Sequence, residues 1–260
     1  MAARINWSRN QLLIAFNLYC QMPFGKMDSR NPEVIKYAGI IGRTPSALAM
    51  KLSNIASLDP EITSTGRSGL KGASSSDKVM WEEMQTDWNH FANEMQQAVT
   101  AFEIAELSMD ADDVTVSEVD KPIDYTGSNK TVQTTTRVGQ NFFRRSVLSA
   151  YDYRCCMTGL TVTKLLVASH IIPWGVNTEN RLNPSNGLCL SMLHDKAFDV
   201  GILTILEDMT ISVSQKFTDD SDQFFNSALL AYDGRPIFSP KKFKPHAEFL
   251  AYHREHVFEK

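Results

Sequence analysis

Residues 169–199, SHIIPWGVNTENRLNPSNGLCLSMLHDKAFD, limit the fold more than any other part of the chain. Residues 164–169 form a short apolar run of strand formers. Ile171, Ile172, Pro173 and Trp174 close it, because proline cannot continue a hydrogen-bonded ladder. His170 therefore falls where a strand ends. Residues 177–185 carry Asn, Thr, Glu and Pro at loop density. Residues 187–191 read as a second short strand, and 192–200 as a helix stopped by Gly201. Strand, loop, strand and helix in that order can bring His170, Asn186 and His194 to one point.

Those residue types belong together in one kind of chemistry. Cleaving a phosphodiester needs a water made nucleophilic near neutral pH, and a histidine with a pKa of about 6.5 is suited to take its proton. His170 is the candidate base and His194 the candidate ligand of a divalent cation that neutralises charge on the leaving oxygen. Asn186, with one acceptor and one donor group, can bridge two loop segments and hold the base in register. Taken alone, a histidine at a strand end is more often structural than catalytic; the company of Asn186 and His194 reverses that weighting.

The segment from Arg137 to about Leu206 resembles the HNH (ββα-metal) endonucleases, in their restriction-endonuclease branch. The matching residues are Arg137 to Gln140 (RVGQ), Phe143 and Arg144, Cys156 to Gly159 (CMTG), Ala168 to Ile171 (ASHI), Asn186 to Leu188 (NGL), and His194 with Phe198 to Gly201 (FDVG). The resemblance implies metal-dependent hydrolysis of DNA, with His170 as base and His194 on the metal. Many members carry Asp, Glu or His directly before the base, where this chain has Ser169. Many carry His or Asn four residues after the helix histidine, where this chain has Phe198. Asp199 is taken as the second metal ligand, although five helical residues turn a side chain through about 500° and so off the His194 face unless the helix has ended. Asp195 is the alternative. The cation expected is Mg²⁺, with Mn²⁺ and Ni²⁺ as substitutes.

The 260 residues have room for two modest cores. The expected division is a helical module over 1–107, an acidic and polar linker over 108–135, and the nuclease domain with its C-terminal extension over 136–260. The fold class is α+β. No apolar run approaches the roughly 20 residues of a membrane span, and the first residues lack the apolar core of a signal peptide, so the expected location is cytoplasmic. Four cysteines form no CxxC pair. Buried thiols are expected in place of a structural zinc. The net charge of −4 does not exclude a nucleic-acid partner, since acidic residues crowd 103–124 and phosphate binding draws on local potential.

In the N-terminal module, Ser8 is a plausible cap for a helix over 7–20. Asn31 and Pro32 open a second helix closed by Gly42, and Thr44 and Pro45 open a third that ends before Leu58. Three short helices with a glycine turn fit a helix-turn-helix unit. Lys51 and Asn54 of the third helix, and Arg43 at the turn, are the candidate DNA contacts. Residues 76–107 read as one or two helices with an apolar stripe. The glycine-rich loop 66–72 reads as a connector. Arg137, Arg144 and Arg145, in a helix over 137–153, are the candidate phosphate clamps of the second domain. Beyond the site, 202–206 and 210–213 read as a hairpin. A helix over 245–259 presents His253 and His256 on one face, where packing outweighs metal binding.

The sequence thus points to a metal-dependent endonuclease acting on double-stranded DNA, in restriction or defence, compatible with a homodimer. Its rivals are a DNA-binding regulator on an inactive HNH fold and an RNA nuclease.

Overall fold

The computed structural model describes residues 6–66, 72–109, 133–217 and 222–260. Most of the acidic linker expected over 108–135, and much of the 66–72 connector, lie outside the described residues.

The N-terminal helices start where the caps placed them. Helix α1 (Arg9–Gln21) opens on Ser8, whose hydroxyl accepts from the Gln11 amide while the Gln11 side chain accepts from the Ser8 amide. Helix α2 (Pro32–Ile40) is capped by Asn31 and α3 (Pro45–Ala56) by Thr44, each with proline in its first turn. A short turn of helix, α4 (Pro60–Thr63), follows. The apolar stripe resolves into two helices, α5 (Ser75–Thr86) and α6 (Trp88–Met109). Leu13, Phe16, Leu48, Leu52, Trp81, Phe91 and their neighbours form one buried core.

Helix α7 (Gln133–Ala150) leads into the second half. Strand β1 (Leu166–His170) pairs antiparallel with β2 (Gly187–Ser191), Leu166 opposite Ser191 and His170 opposite Gly187. Helix α8 (Met192–Asp199) follows at once, capped by Ser191. Strands β3 (Leu203–Ile205) and β4 (Ile211–Val213) form the expected hairpin. A short helix, α9 (Gln223–Ala228), and the final helix α10 (Ala247–His256) complete the chain. The fold is α+β, with small antiparallel strand pairs among helices.

The second core gathers Phe143, Val147, Leu188, Leu190, Phe198, Leu203 and Leu250. Cys155, Cys156 and Cys189 are free thiols buried within it. Helix α7 serves both cores: Phe142 is buried in the first and Phe143 in the second.

Two ion pairs and one buried lysine also join the halves. Arg145 pairs with Glu33 and Lys244 with Glu61. Lys242, 1% exposed, donates to the backbone carbonyls of Tyr19, Cys20 and Met22 at 2.6, 3.0 and 2.8 Å. These are orphan acceptors at the end of α1, so the ammonium acts as a remote cap. Burial draws its pKa down to about 8, against the opposing influence of Cys20 and Asp59.

Several expected nucleic-acid contacts are placed otherwise. Lys51 is 5% exposed and pairs with the buried Asp77 at 2.7 Å beside the Trp7 ring, so it is unavailable to a DNA groove. Its position on the inner face of α3 decides this. The Arg43 guanidinium lies over Trp7 and donates to Gln11 Oε1 and the Asn6 carbonyl. Asn54 Oδ1 is buried without a hydrogen-bond partner. Arg145 is committed to Glu33. The Arg137 side chain lies outside the described residues.

Candidate active site

His170 is the last residue of β1, and its ring is held from several sides. It stacks on Phe143 with centroids 3.8 Å apart and planes 10° from parallel, and it meets the Trp174 ring edge-on at 5.4 Å. Its Nε2 lies 3.0 Å from the Arg181 carbonyl oxygen. A carbonyl can only accept, so Nε2 carries the proton and Nδ1 holds the lone pair. Burial pushes the imidazole pKa below its usual value, against a smaller upward pull from that carbonyl, so the ring is neutral near pH 7. A neutral ring with a fixed tautomer and an acceptor nitrogen is what proton abstraction requires.

The loop between β1 and β2 fixes this arrangement. Asn186 is fully buried. Its Oδ1 accepts from the Ile172 amide at 2.9 Å, and its Nδ2 donates to the carbonyls of Ile172 and Asn180 at 3.2 and 3.3 Å. Both ends of the loop are thus tied to one side chain. Arg181, whose carbonyl orients His170, is itself anchored by donating to the Trp174 carbonyl at 2.7 Å. Gly187, opposite His170, has no room for a side chain: a Cβ there would stand 2.4 Å from Val147 and 2.9 Å from Phe143. That close approach lets α7 lay Phe143 under the base.

Helix α8 turns two different faces. His194 lies on the inner one, 4% exposed. Its Nδ1 is 2.8 Å from Ser191 Oγ, its ring meets Tyr232 edge-on at 5.4 Å, and its Nε2 is buried with no hydrogen bond of normal geometry, although the Ala228 carbonyl is close. None of these His194 partners is among the residues that hold the His170 ring.

Asp195 and Asp199 occupy the other face, since four helical residues return a side chain to within about 40° of its starting direction. Burial raises both carboxyl pKa values, and the Asp195 charge raises that of Asp199 further. Ser169, 2% exposed, stands close enough to Asp195 to ease its ionisation slightly, while its Oγ makes no hydrogen bond of normal geometry. Two carboxylates with raised pKa values and an unpartnered hydroxyl make an all-oxygen donor set. Such a set fits a hard divalent cation that keeps most of its waters. Among the described residues no three His, Cys, Asp or Glu side chains converge, so protein atoms would supply only part of the coordination.

Arg144 completes the surroundings. It donates to the Leu166 carbonyl at 2.9 Å and, with Gln140, Phe143, Val167, Ala168, His170 and Trp174, lines a pocket of about 250 Å³ at the base.

Residues 155–206, spanning the hairpin and α8, match the family model described as HNH endonuclease. This segment is similar to HNH endonuclease domains. No curated protein matches the chain. The HNH family is one of nucleases, which act on nucleic acids and generally use divalent metals, and the matched span holds β1, β2, α8 and β3. Among the described residues, no helix is long and apolar enough to cross a membrane.

The sequence missed Trp174 and the Arg181 carbonyl. A backbone acceptor leaves no mark on the choice of its own side chain. The Asp195–Asp199 pair did carry a signal, the four-residue helical spacing between them.

Proposed function

We propose that the chain is a metal-dependent endonuclease acting on double-stranded DNA, with His170 as general base, Asp195 and Asp199 as the cation anchor, and Asn186 as the clamp of the loop behind the base. The direction of the His170 ring carries this proposal: one nitrogen is spent on Arg181, and the other is left as an acceptor on a neutral imidazole. A water at Nδ1 gives up its proton as its oxygen attacks phosphorus. The P–O3′ bond breaks and the departing oxygen takes a proton from solvent, leaving a 5′ phosphate, a 3′ hydroxyl and a protonated His170 that later returns its proton to solvent. Asp195 and Asp199 would hold a divalent cation, which would supply charge neutralisation at the leaving oxygen. The oxygen donor set suits Mg²⁺ and Mn²⁺ better than Ni²⁺, which favours nitrogen ligands.

This moves the metal from His194 to its neighbour. His194 faces Tyr232 and secures the start of α8 through Ser191. Arg144, which lines the pocket beside the base, contacts the phosphate. A role in restriction of foreign DNA rests on the sequence resemblance.

Plasmid nicking in Mg²⁺, Mn²⁺ and Ni²⁺, run beside an RNA substrate, tests the proposal. Cutting of DNA that stops on chelation supports it. No cutting in any of the three metals sinks it, and faster hydrolysis of RNA reassigns the polymer.

A further inference from the structure

Beside the pocket at His170, a cleft of about 630 Å³ lies between α6 and the β1–β2 loop. Its α6 wall presents a row of side-chain amides and a hydroxyl, Asn89, Asn93, Gln96, Gln97 and Thr100. Trp174 lines the opposite wall. The same Trp174 lines the pocket of His170 and touches its ring, so cleft and base are contiguous.

The chemistry of the lining narrows the occupant. The charged side chains there are Glu179 and Arg181, which offset one another, and the Arg181 guanidinium is already engaged over the Trp174 ring. A phosphate would find no net attraction. Gln96 Nε2 is a buried donor with no partner, a costly state unless a ligand supplies an acceptor. Amide side chains pair with the hydrogen-bonding edges of nucleobases, and indole rings stack on their faces. The volume lies in the range of small-molecule pockets. A recess cannot enter a DNA groove; it receives something that projects from the strand.

We propose that this cleft takes one unpaired nucleobase of the DNA strand presented to His170, stacked on Trp174 and read at its edge by Asn93 and Gln96. The proposal rests on the nuclease reading for its strand but not for its binding chemistry. The base leaves the helical stack and enters the cleft, and its neighbouring phosphodiester is thereby brought to the pocket lined by Arg144 and His170. Extruding a base costs least where it is already unpaired, so DNA with a bulge, mismatch or single-stranded gap is the favoured substrate.

The test uses the full chain in EDTA, so that strands stay intact, with two duplexes carrying 2-aminopurine, one bulged and one fully paired. Wild type binds the bulged duplex at least about fivefold more tightly, with quenching of the fluorophore. The Asn93→Leu/Gln96→Leu double variant loses that preference while binding the paired duplex as before. Trp174→Ala loses both preference and quenching, and Trp174→Phe keeps them. Equal affinities for the two duplexes, or a preference that survives all of these variants, overturns the proposal. A parallel Mg²⁺ cleavage assay separates the two readings: cutting without a bulge preference removes the cleft alone, and a bulge preference without cutting removes the nuclease alone.

Discussion

The two faces of α8 are one residue apart in sequence and opposite in character. On one, His194, Ala197 and Phe198 are buried and bind the helix to its own domain. On the other, Asp195 lies near Ser169 and four residues from Asp199; burial raises both carboxyl pKa values, and the Asp195 charge raises that of Asp199 further. The inner face gives up chemistry for packing, while the outer one holds charge that is costly until a cation arrives. A residue type suited to metal, such as His194, is therefore no guide to a site unless the helical phase is known.

Several measurements would break or sharpen that contrast. The largest effect is expected at the site itself. His170→Ala and Asp195→Asn each lower metal-dependent cleavage by about 10²–10⁴-fold. His194→Asn stays within about tenfold of wild type and loses stability, because it disturbs a buried polar group. A dead His194→Asn enzyme that is still folded, beside an active Asp195→Asn enzyme, would invert the assignment of the two faces.

Next comes Gly187→Ala. The added methyl meets Val147 and Phe143, so a loss of about 1–3 kcal/mol is expected by chemical denaturation, with a fall in kcat as the Phe143 stack shifts under the base. Unchanged kcat would mean that the stack is not needed to hold the ring.

The acidic face gives a smaller, metal-linked effect. A carboxyl whose folded pKa is raised contributes its stability fully below the unfolded value near 3.8 and loses it as pH rises, so the ionised pair weakens the metal-free protein at pH 7. Asp199→Asn should then leave metal-free Tm unchanged or slightly higher and reduce the Tm gain on adding Mn²⁺. A full Mn²⁺ response in that variant would place the cation elsewhere.

The inner face should respond to acid instead. His253 of α10 is buried, stacked on Phe198 at 3.6 Å, and bonded through Nε2 to the Phe198 carbonyl at 3.0 Å and through Nδ1 to Thr204 at 2.9 Å. Burial lowers its pKa to about 4. A depressed folded pKa gives stability that is present above the unfolded value near 6.5 and is lost as pH falls through 4. Tm should drop by on the order of 5 °C between pH 6.5 and 4.5, and less in His253→Gln. Equal slopes would exclude His253 as the source.

Much of this was legible in the residues. Ser8, Asn31 and Thr44 announced their helices, and the apolar runs beside His170 and Asn186 announced the hairpin; the Ser191 cap of α8 was hidden inside a strand reading. Side-chain direction was harder to read. Lys51 looks like a surface cation until Asp77, from another helix, is seen to bury it. Lys242 sits in a basic cluster, yet its partners are three carbonyls more than two hundred residues away in the chain. Such long-range pairings leave no local pattern, because each partner satisfies its own segment's propensity equally well without the other.

The neighbouring phenylalanines of α7 have a practical consequence for anyone dividing the protein. A fragment begun at residue 136 would strip Phe142 of the helices that cover it and leave the Lys242 ammonium without the carbonyls it serves. The acidic stretch looks like a natural place to cut, but excision there would yield a greasy, incompletely roofed half. Swapping one module for a foreign one would also disturb the helix on which the catalytic imidazole leans.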